Sequence, residues 1–217
     1  MKIYRILLEY IFPSTCGVCG KICADSLCKK CELSLRKLEV SKKQIKIRKD
    51  EDYILFYEFP YTDIIRQMLL EFKFKDKPYI AKTFVKIMLQ NEKVCRFLKS
   101  YDIIIPVPAY FLKKWKRGYN QTEQIIKEIS KICPEIRYDF HILKKNKNTK
   151  RQSSLKRIDR KTNLNGAYKV ENKDRIQDKK VLLLDDIYTT GSTVKACAKV
   201  LKEAGAKELG IFVIAKD

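Results

Sequence analysis

Residues 181–193 read VLLLDDIYTTGST, an order of residue types that few folds accommodate. Val181, Leu182, Leu183 and Leu184 form an apolar run without alternation, as in a strand covered on both faces of a parallel sheet. Asp185 and Asp186 stand where that strand is expected to end. Thr189, Thr190, Gly191, Ser192 and Thr193 follow, immediately before a helical period. Backbone N–H groups and hydroxyls crowded at a helix N-terminus make a seat for a phosphate dianion. Two acids beside that seat repel phosphate, so they call for another partner, such as ribose hydroxyls or a metal. A phosphorylated sugar meets both requirements. An aspartate cap before a Ser/Thr-rich turn has the same spelling and no ligand.

This stretch resembles the PRPP-binding motif of the type I phosphoribosyltransferases. The resemblance implies that Asp185 and Asp186 contact the ribose hydroxyls of 5-phosphoribosyl-1-pyrophosphate (PRPP). It also implies that Thr189, Thr190, Gly191, Ser192 and Thr193 wrap its 5′-phosphate. The chain as a whole is similar to the ComF-like branch, which joins a small cysteine-rich N-terminal region to such a domain. The expected fold is therefore α/β: an open, mostly parallel twisted sheet with a small N-terminal zinc module. The expected division is a zinc module with an N-terminal helix over 1–40 and a phosphoribosyltransferase-like domain over 41–217. Within the latter, 41–100 is a leading, hood-like part and 101–217 the core.

Four of the eight cysteines form two doublets, Cys16-x-x-Cys19 and Cys28-x-x-Cys31. Each doublet can turn two thiolates toward one point, and Gly17 and Gly20 permit a tight knuckle. Together they close a tetrahedral four-sulfur site of the structural Zn2+ type, with iron–sulfur or redox use as the alternatives. Cys23 is a fifth thiol nearby, a spare or a rival ligand. Cys95, Cys133 and Cys197 lie in apolar surroundings and are expected in the core.

The formal net charge is +21. The window Lys144–Lys161 holds nine basic residues against the single acid Asp159. Further clusters are Lys42, Lys43, Lys46, Arg48 and Lys49, and Lys113, Lys114, Lys116 and Arg117. Such patches attract a polyanion, either a pyrophosphorylated nucleotide or nucleic acid. A coding bias toward lysine and isoleucine produces the same surplus with no partner, and charge alone selects no fold. The stretch Met1–Phe12 is interrupted by Lys2, Arg5 and Glu9, so it lacks the long apolar core of a signal peptide or membrane span. It reads as a short amphipathic helix packed on the body, and the expectation is a cytoplasmic protein without membrane insertion.

Along the chain, Glu32–Leu38 makes one or two helical turns, and Val40–Asp52 is a connection or hairpin. Tyr53–Phe59 reads as a strand. Ile64, Ile65, Met68, Leu69 and Phe72 mark a helix, and another covers Tyr79–Gln90. Ile103, Ile104 and Ile105 form a buried strand stopped by Pro106-Val107-Pro108. Ile125, Ile126 and Ile129 line a helix opened by Asn120 or Thr122. His141-Ile142-Leu143 reads as a short apolar strand, which gives the sole histidine a structural role. Val194, Cys197, Ala198 and Leu201 line the next helix, Gly205 caps it, and Leu209–Ala215 closes the sheet. This alternation of strand and helix is that of an open parallel sheet, whose ligands bind at the carboxyl ends of the strands.

The family resemblance adds further expectations. Pro106, Val107, Pro108 and Ala109 occupy the place of the loop that lies against the pyrophosphate. Arg117, Gly118, Tyr119, Asn120 and Gln121 match a ComF-like segment, in which Arg117 would grip a phosphoryl oxygen with its two-pronged guanidinium. Asn120 and Gln121 cap the helix or order the loop. The basic window corresponds to a flexible lid whose pattern reads here as Gln152, Leu155, Arg160, Asn163, Gly166, Ala167 and Tyr168. Arg157 and Arg160 would neutralise the leaving group as the lid closes, or the window is a basic loop that touches DNA or RNA phosphates. The segment FKFKDKP resembles a ComF-like turn, from which Phe72 and Asp76 depart. The implied activity is PRPP binding with Mg2+ and transfer of phosphoribosyl to an unidentified acceptor during DNA uptake in natural competence. Single-stranded DNA and other DNA-uptake proteins are the implied partners. The alternative is a non-catalytic protein that senses PRPP or handles single-stranded DNA.

Overall fold

The computed structural model describes residues 13–38, 53–75, 77–109, 118–146 and 166–217. The expected helix at Met1–Phe12, the Val40–Asp52 connection, Arg117, Arg157, Arg160 and nearly all of the lid lie outside the described residues.

Four strands form the main sheet: β1 (Tyr53–Pro60), β2 (Ile103–Pro106), β5 (Lys180–Tyr188) and β6 (Glu208–Lys216). Their order is β1-β6-β5-β2, and every pairing is parallel. Alternate residues of β5 feed two separate cores, which is why its sequence is apolar without alternation. Leu182 and Leu184 pack with Phe212 and Ile214 on one face. Val181 and Leu183 pack with Ile211 and Val213 on the other.

The first face is covered by α2 (Asp63–Phe74), α3 (Ile80–Met88), α4 (Glu92–Lys99) and α5 (Gln121–Ile132), which follow α1 (Lys29–Leu38). In α2 the buried positions Ile65, Met68, Leu69 and Phe72 fall at helical spacing and make one stripe. The side chain of Asn120 caps α5 by accepting from the Thr122 N–H at 3.3 Å. Helix α4 was not expected. Asn91 caps it by accepting from the Lys93 N–H at 3.0 Å, and Val94, Phe97 and Leu98 bury its one apolar face. Two turns offer too few positions for a period to stand out.

Helix α6 (Ser192–Glu203) covers the second face through Val194, Cys197, Ala198 and Leu201. The antiparallel pair β3 (Leu143–Lys145) and β4 (Tyr168–Val170) joins it there. Full burial of a side chain the size of Val194 or Leu201 contributes about 1.5–3 kcal/mol.

Three expectations require correction. Strand β5 does not end at the acids but runs through both to Tyr188, because β6 supplies partners that far, Val213 for Asp185 and Ala215 for Ile187. His141 is exposed in a bend before β3, its N–H donating to Asp139 Oδ1 at 2.7 Å, and so takes no place in an apolar strand. Cys133 and Cys197 are buried as expected, but Cys95 is only half-buried, its thiol donating to the Leu89 carbonyl at 3.3 Å. Among the described residues, no helix is long and apolar enough to cross a membrane.

Candidate functional site

The acid pair lies in the carboxyl-terminal half of β5, where successive side chains turn to opposite faces of the sheet. Asp186 meets the Lys73 ammonium of α2 at 2.5 Å, with both side chains largely buried. Asp185 lies on the side of Cys197 and Tyr168. It accepts the Asp186 N–H at 2.9 Å. Burial, then the neighbouring charge of Asp186, pushes the Asp185 carboxyl up to about 7, against the pull of that N–H and of Lys73 and Lys145. Above that value the group is a carboxylate, able to accept hydrogen bonds from hydroxyls.

Beyond β5 the chain turns at Gly191, whose φ of 72° is left-handed. A Cβ at this position would stand 2.3 Å from the Tyr188 hydroxyl, so the turn is closed over the tyrosine ring. Tyr188 is buried and its hydroxyl lies 3.4 Å from that of Tyr53 on β1. Gly191 caps α6 with no side chain, and the Thr190 and Ser192 hydroxyls meet at 2.9 Å beside it. The first-turn N–H groups of a helix have no partner within the helix, and here the exposed Thr189 and Thr190 and the half-buried Ser192 and Thr193 flank them. Such a turn can hold a phosphate.

The segment Pro106–Ala109 lies alongside. The Val107 N–H donates to the Leu184 carbonyl at 2.8 Å, just before the acids. The Val107 carbonyl accepts from Thr122 Oγ1 at 3.0 Å and from Asn120 Nδ2 at 3.4 Å. The fold therefore gathers Pro106, Val107, Pro108, Ala109, Asp185, Asp186 and the Thr189–Thr193 turn at one end of two adjacent strands. Arg117, Arg157 and Arg160 fall outside the described residues. Sequence reasoning missed two lysines that approach the acids, Lys73 from α2 and Lys145 from β3. Both stood in view within basic stretches, but nothing in their spacing distinguished them from solvated lysines. Tyr168, 5% exposed, shares a hydrogen bond with the Thr193 side chain, which ties β4 to the start of α6.

The second constellation is the cysteine cluster. The Sγ atoms of Cys16, Cys19, Cys28 and Cys31 all lie within 4.8 Å of one another. Cys19 and Cys28 are 3.9 Å apart, against about 3.8 Å between sulfurs of a tetrahedral zinc site with Zn–S near 2.3 Å. Gly20, with φ of 73°, closes the first knuckle by donating its N–H to the Cys16 carbonyl at 2.9 Å. The second doublet opens α1, with Cys31 in its first turn. Burial pushes the Cys16 thiol up, but the N–H groups of Cys28, Cys19 and Val18 outweigh it and hold it at about 6, which favours the thiolate a metal binds. The Cys23 thiol donates instead to the Asp25 carbonyl at 2.7 Å and is not one of the four. Four sulfur ligands fill a tetrahedral site, so the cluster fits a structural zinc that contributes folding energy.

Residues 110–217 match the phosphoribosyl transferase domain family. Competence protein F of Haemophilus influenzae is 31% identical over 160 residues, covering 72% of this chain and 69% of that protein. Competence protein ComFC of Streptococcus pneumoniae is 25% identical over 210 residues, 96% of this chain and 83% of that one. Among solved structures, the glutamine PRPP amidotransferase from B. subtilis superposes with a TM-score of 0.40 at 19% identity, over 61% of this chain and 25% of that chain. That overlap is partial, and the parallel strand order with the domain match defines the fold.

Proposed function

Because the chain belongs to the competence protein F family, we propose that its phosphoribosyltransferase-like domain binds PRPP and transfers the phosphoribosyl group to a nitrogen nucleophile in the handling of incoming DNA. The observation that carries this reading is the placement of Asp185 and Asp186 in the carboxyl-terminal half of β5, which leads past Tyr188 into the turn at the left-handed Gly191, with Pro106–Ala109 alongside. A phosphorylated ribose presents hydroxyls to acids and a dianion to a helix N-terminus, and this arrangement offers both.

Asp185 and Asp186 accept hydrogen bonds from the ribose hydroxyls and counter the positive charge that grows on the sugar as the bond to pyrophosphate breaks. The N–H groups and hydroxyls of Thr189–Thr193 hold the 5′-phosphate. The Pro106–Ala109 loop lies against the pyrophosphate, and Arg117, Arg157 and Arg160 neutralise it as it leaves with the electron pair of the broken C–O bond. The acceptor nitrogen then forms its bond to the same carbon, so positioning and charge replace a covalent nucleophile. When PRPP is bound, Mg2+ would supply further neutralisation of the leaving group. The cysteine cluster holds zinc and takes no part in the chemistry. The names of the relatives, competence protein F and ComFC, support a place in DNA uptake. The net charge of +21 suits single-stranded DNA as a partner.

Phosphorus NMR of PRPP with Mg2+ tests this, with and without the protein and with pooled bases, nucleotides and single-stranded DNA. Pyrophosphate release that depends on one component of the pool, and that fails in Asp185→Asn/Asp186→Asn, is the expected result. Broadened PRPP signals without turnover would favour a PRPP-sensing protein. Unperturbed signals would remove the site assignment.

A further inference from the structure

Among the described residues, the proposed ligand contacts leave a charged contact unused, that of Lys73 with Asp186. The chain builds it with some care. Residues 119–122 are all buried although three of the four are polar or carry an amide: Tyr119 8%, Asn120 4%, Gln121 4% and Thr122 3% exposed. Asn120 and Thr122 hold the Val107 carbonyl, as above. Tyr119 and Gln121 reach the other way, the Tyr119 hydroxyl donating to the Phe72 carbonyl at 2.6 Å and Gln121 Nε2 to the same oxygen at 3.4 Å. The Phe72 and Tyr119 rings also stack, with centroids 5.8 Å apart. Phe72 stands in the last turn of α2, where carbonyls lack partners within the helix. The two donors supply those partners and so fix the peptide immediately before Lys73. One short buried segment thus holds both the Pro106–Ala109 loop and the root of the lysine that meets Asp186.

We infer that Lys73 is a positioning residue of the acid pair, placed by the Tyr119–Gln121 clamp on the Phe72 carbonyl so that its ammonium holds Asp186 and offsets the repulsion between the two acids. The inference deepens the function proposed above and rests on that reading of the acids. It also assigns a task to the segment Gly118–Gln121, whose amides had only a helix cap or a loop to order. An exposed ion pair contributes little. This one is 21% exposed at the lysine and 13% at the aspartate, so its charges are less screened by water. Among the described residues, the groups whose charge or proximity acts on Asp185 are Asp186 on its own strand, Lys73 from α2, Lys145 from β3, Tyr168 from β4 and Cys197 from α6. Removal of Lys73 takes away one of the two cations in that set.

Three variants test the assignment: Lys73→Met, Lys73→Arg and Tyr119→Phe, each checked by thermal unfolding. The first measurement needs no ligand and follows the Asp185 carboxyl carbon by NMR through a pH titration. In Lys73→Met the midpoint moves up by about one unit, the scale of a lost neighbouring charge. Lys73→Arg restores most of the original midpoint, and Tyr119→Phe moves it in the same direction by less. The second measurement is calorimetric titration with PRPP and Mg2+ at pH 6, 7 and 8. Lys73→Met weakens binding about tenfold at pH 7, and the pH at which affinity falls moves up with the Asp185 midpoint. An unmoved midpoint in Lys73→Met overturns the assignment, and so does PRPP affinity equal to wild type at all three pH values. If wild type binds no PRPP while the midpoint still moves, the function proposed above falls and the Lys73 assignment is supported.

Discussion

Thr83 on α3 donates its hydroxyl hydrogen to the carbonyl of Ser26, 2.8 Å away, and so joins the cysteine module to the helices beneath it. The contact is close on all sides. A Cβ on Gly17 would lie 2.3 Å from Thr83 Oγ1, and Asp25 receives Lys82 at 3.0 Å and Lys86 at 2.8 Å from the same helix. Those two lysines hold the Asp25 carboxyl well below the usual carboxylate range. Cys16, Leu27, Cys31 and Leu35 share one apolar cluster with Phe84 and Phe72. The module is therefore part of the main core and not an appendage.

Loss of the metal consequently reaches the body of the protein. Cys28→Ser is expected to abolish stoichiometric zinc and to lower Tm by on the order of 10 °C, as α1 loses its anchor against α3. Metal analysis beside calorimetry checks this. An unchanged Tm with the zinc gone would show that the module folds without it.

Gly191→Ala places a side chain in a left-handed position, at about 1–2 kcal/mol, and drives its Cβ into Tyr188. The turn must open, and the helix N-terminus then loses its alignment. PRPP affinity is expected to fall at least about tenfold while Tm drops by only a few degrees. Calorimetric titration and thermal unfolding of the same sample separate the two effects.

Asp185→Asn has an opposite consequence for stability and for binding. The folded carboxyl titrates at about 7 against 3.8 ordinarily, so the native state holds more protons than the unfolded chain between those values. Stability from this group is present at low pH and is lost as pH rises through that window. The asparagine removes the penalty. The variant should therefore be more stable than wild type at pH 8, by on the order of a few kcal/mol, and close to wild type at pH 4. Urea unfolding at the two pH values decides it. PRPP binding, by the proposal above, should weaken at both.

Thr122→Val removes the hydroxyl that donates to the Val107 carbonyl and leaves that oxygen with the longer bond from Asn120 Nδ2 at 3.4 Å. A loss of about 1–2 kcal/mol of stability is expected, since the site is buried and the replacement is nearly isosteric. Mobility in the Pro106–Ala109 loop should rise with it, read as faster amide hydrogen exchange at Val107. Equal exchange in both proteins would show that the loop is held by β5 alone.

Sequence by itself determined the features that depend on neighbours along the chain. The unalternating Val181–Leu184 run demanded cover on both faces, and the two cores on either side of β5 provide it. The CxxC doublets and the glycine between Thr190 and Ser192 likewise carried their geometry in their spacing, because a knuckle and a left-handed turn are closed within a few residues. Tertiary structure decided what depends on residues distant in sequence. The length of β5 was set by the partners β6 supplies, so the acids came to lie within the strand and on opposite faces of it. His141 left its expected strand because Asp139 captures its N–H in a bend. Lysines 73 and 145 were two among many until the fold brought α2 and β3 to the acid pair. A charge's role is set by its nearest opposite charge and by how much water is excluded between them, and local spacing encodes neither.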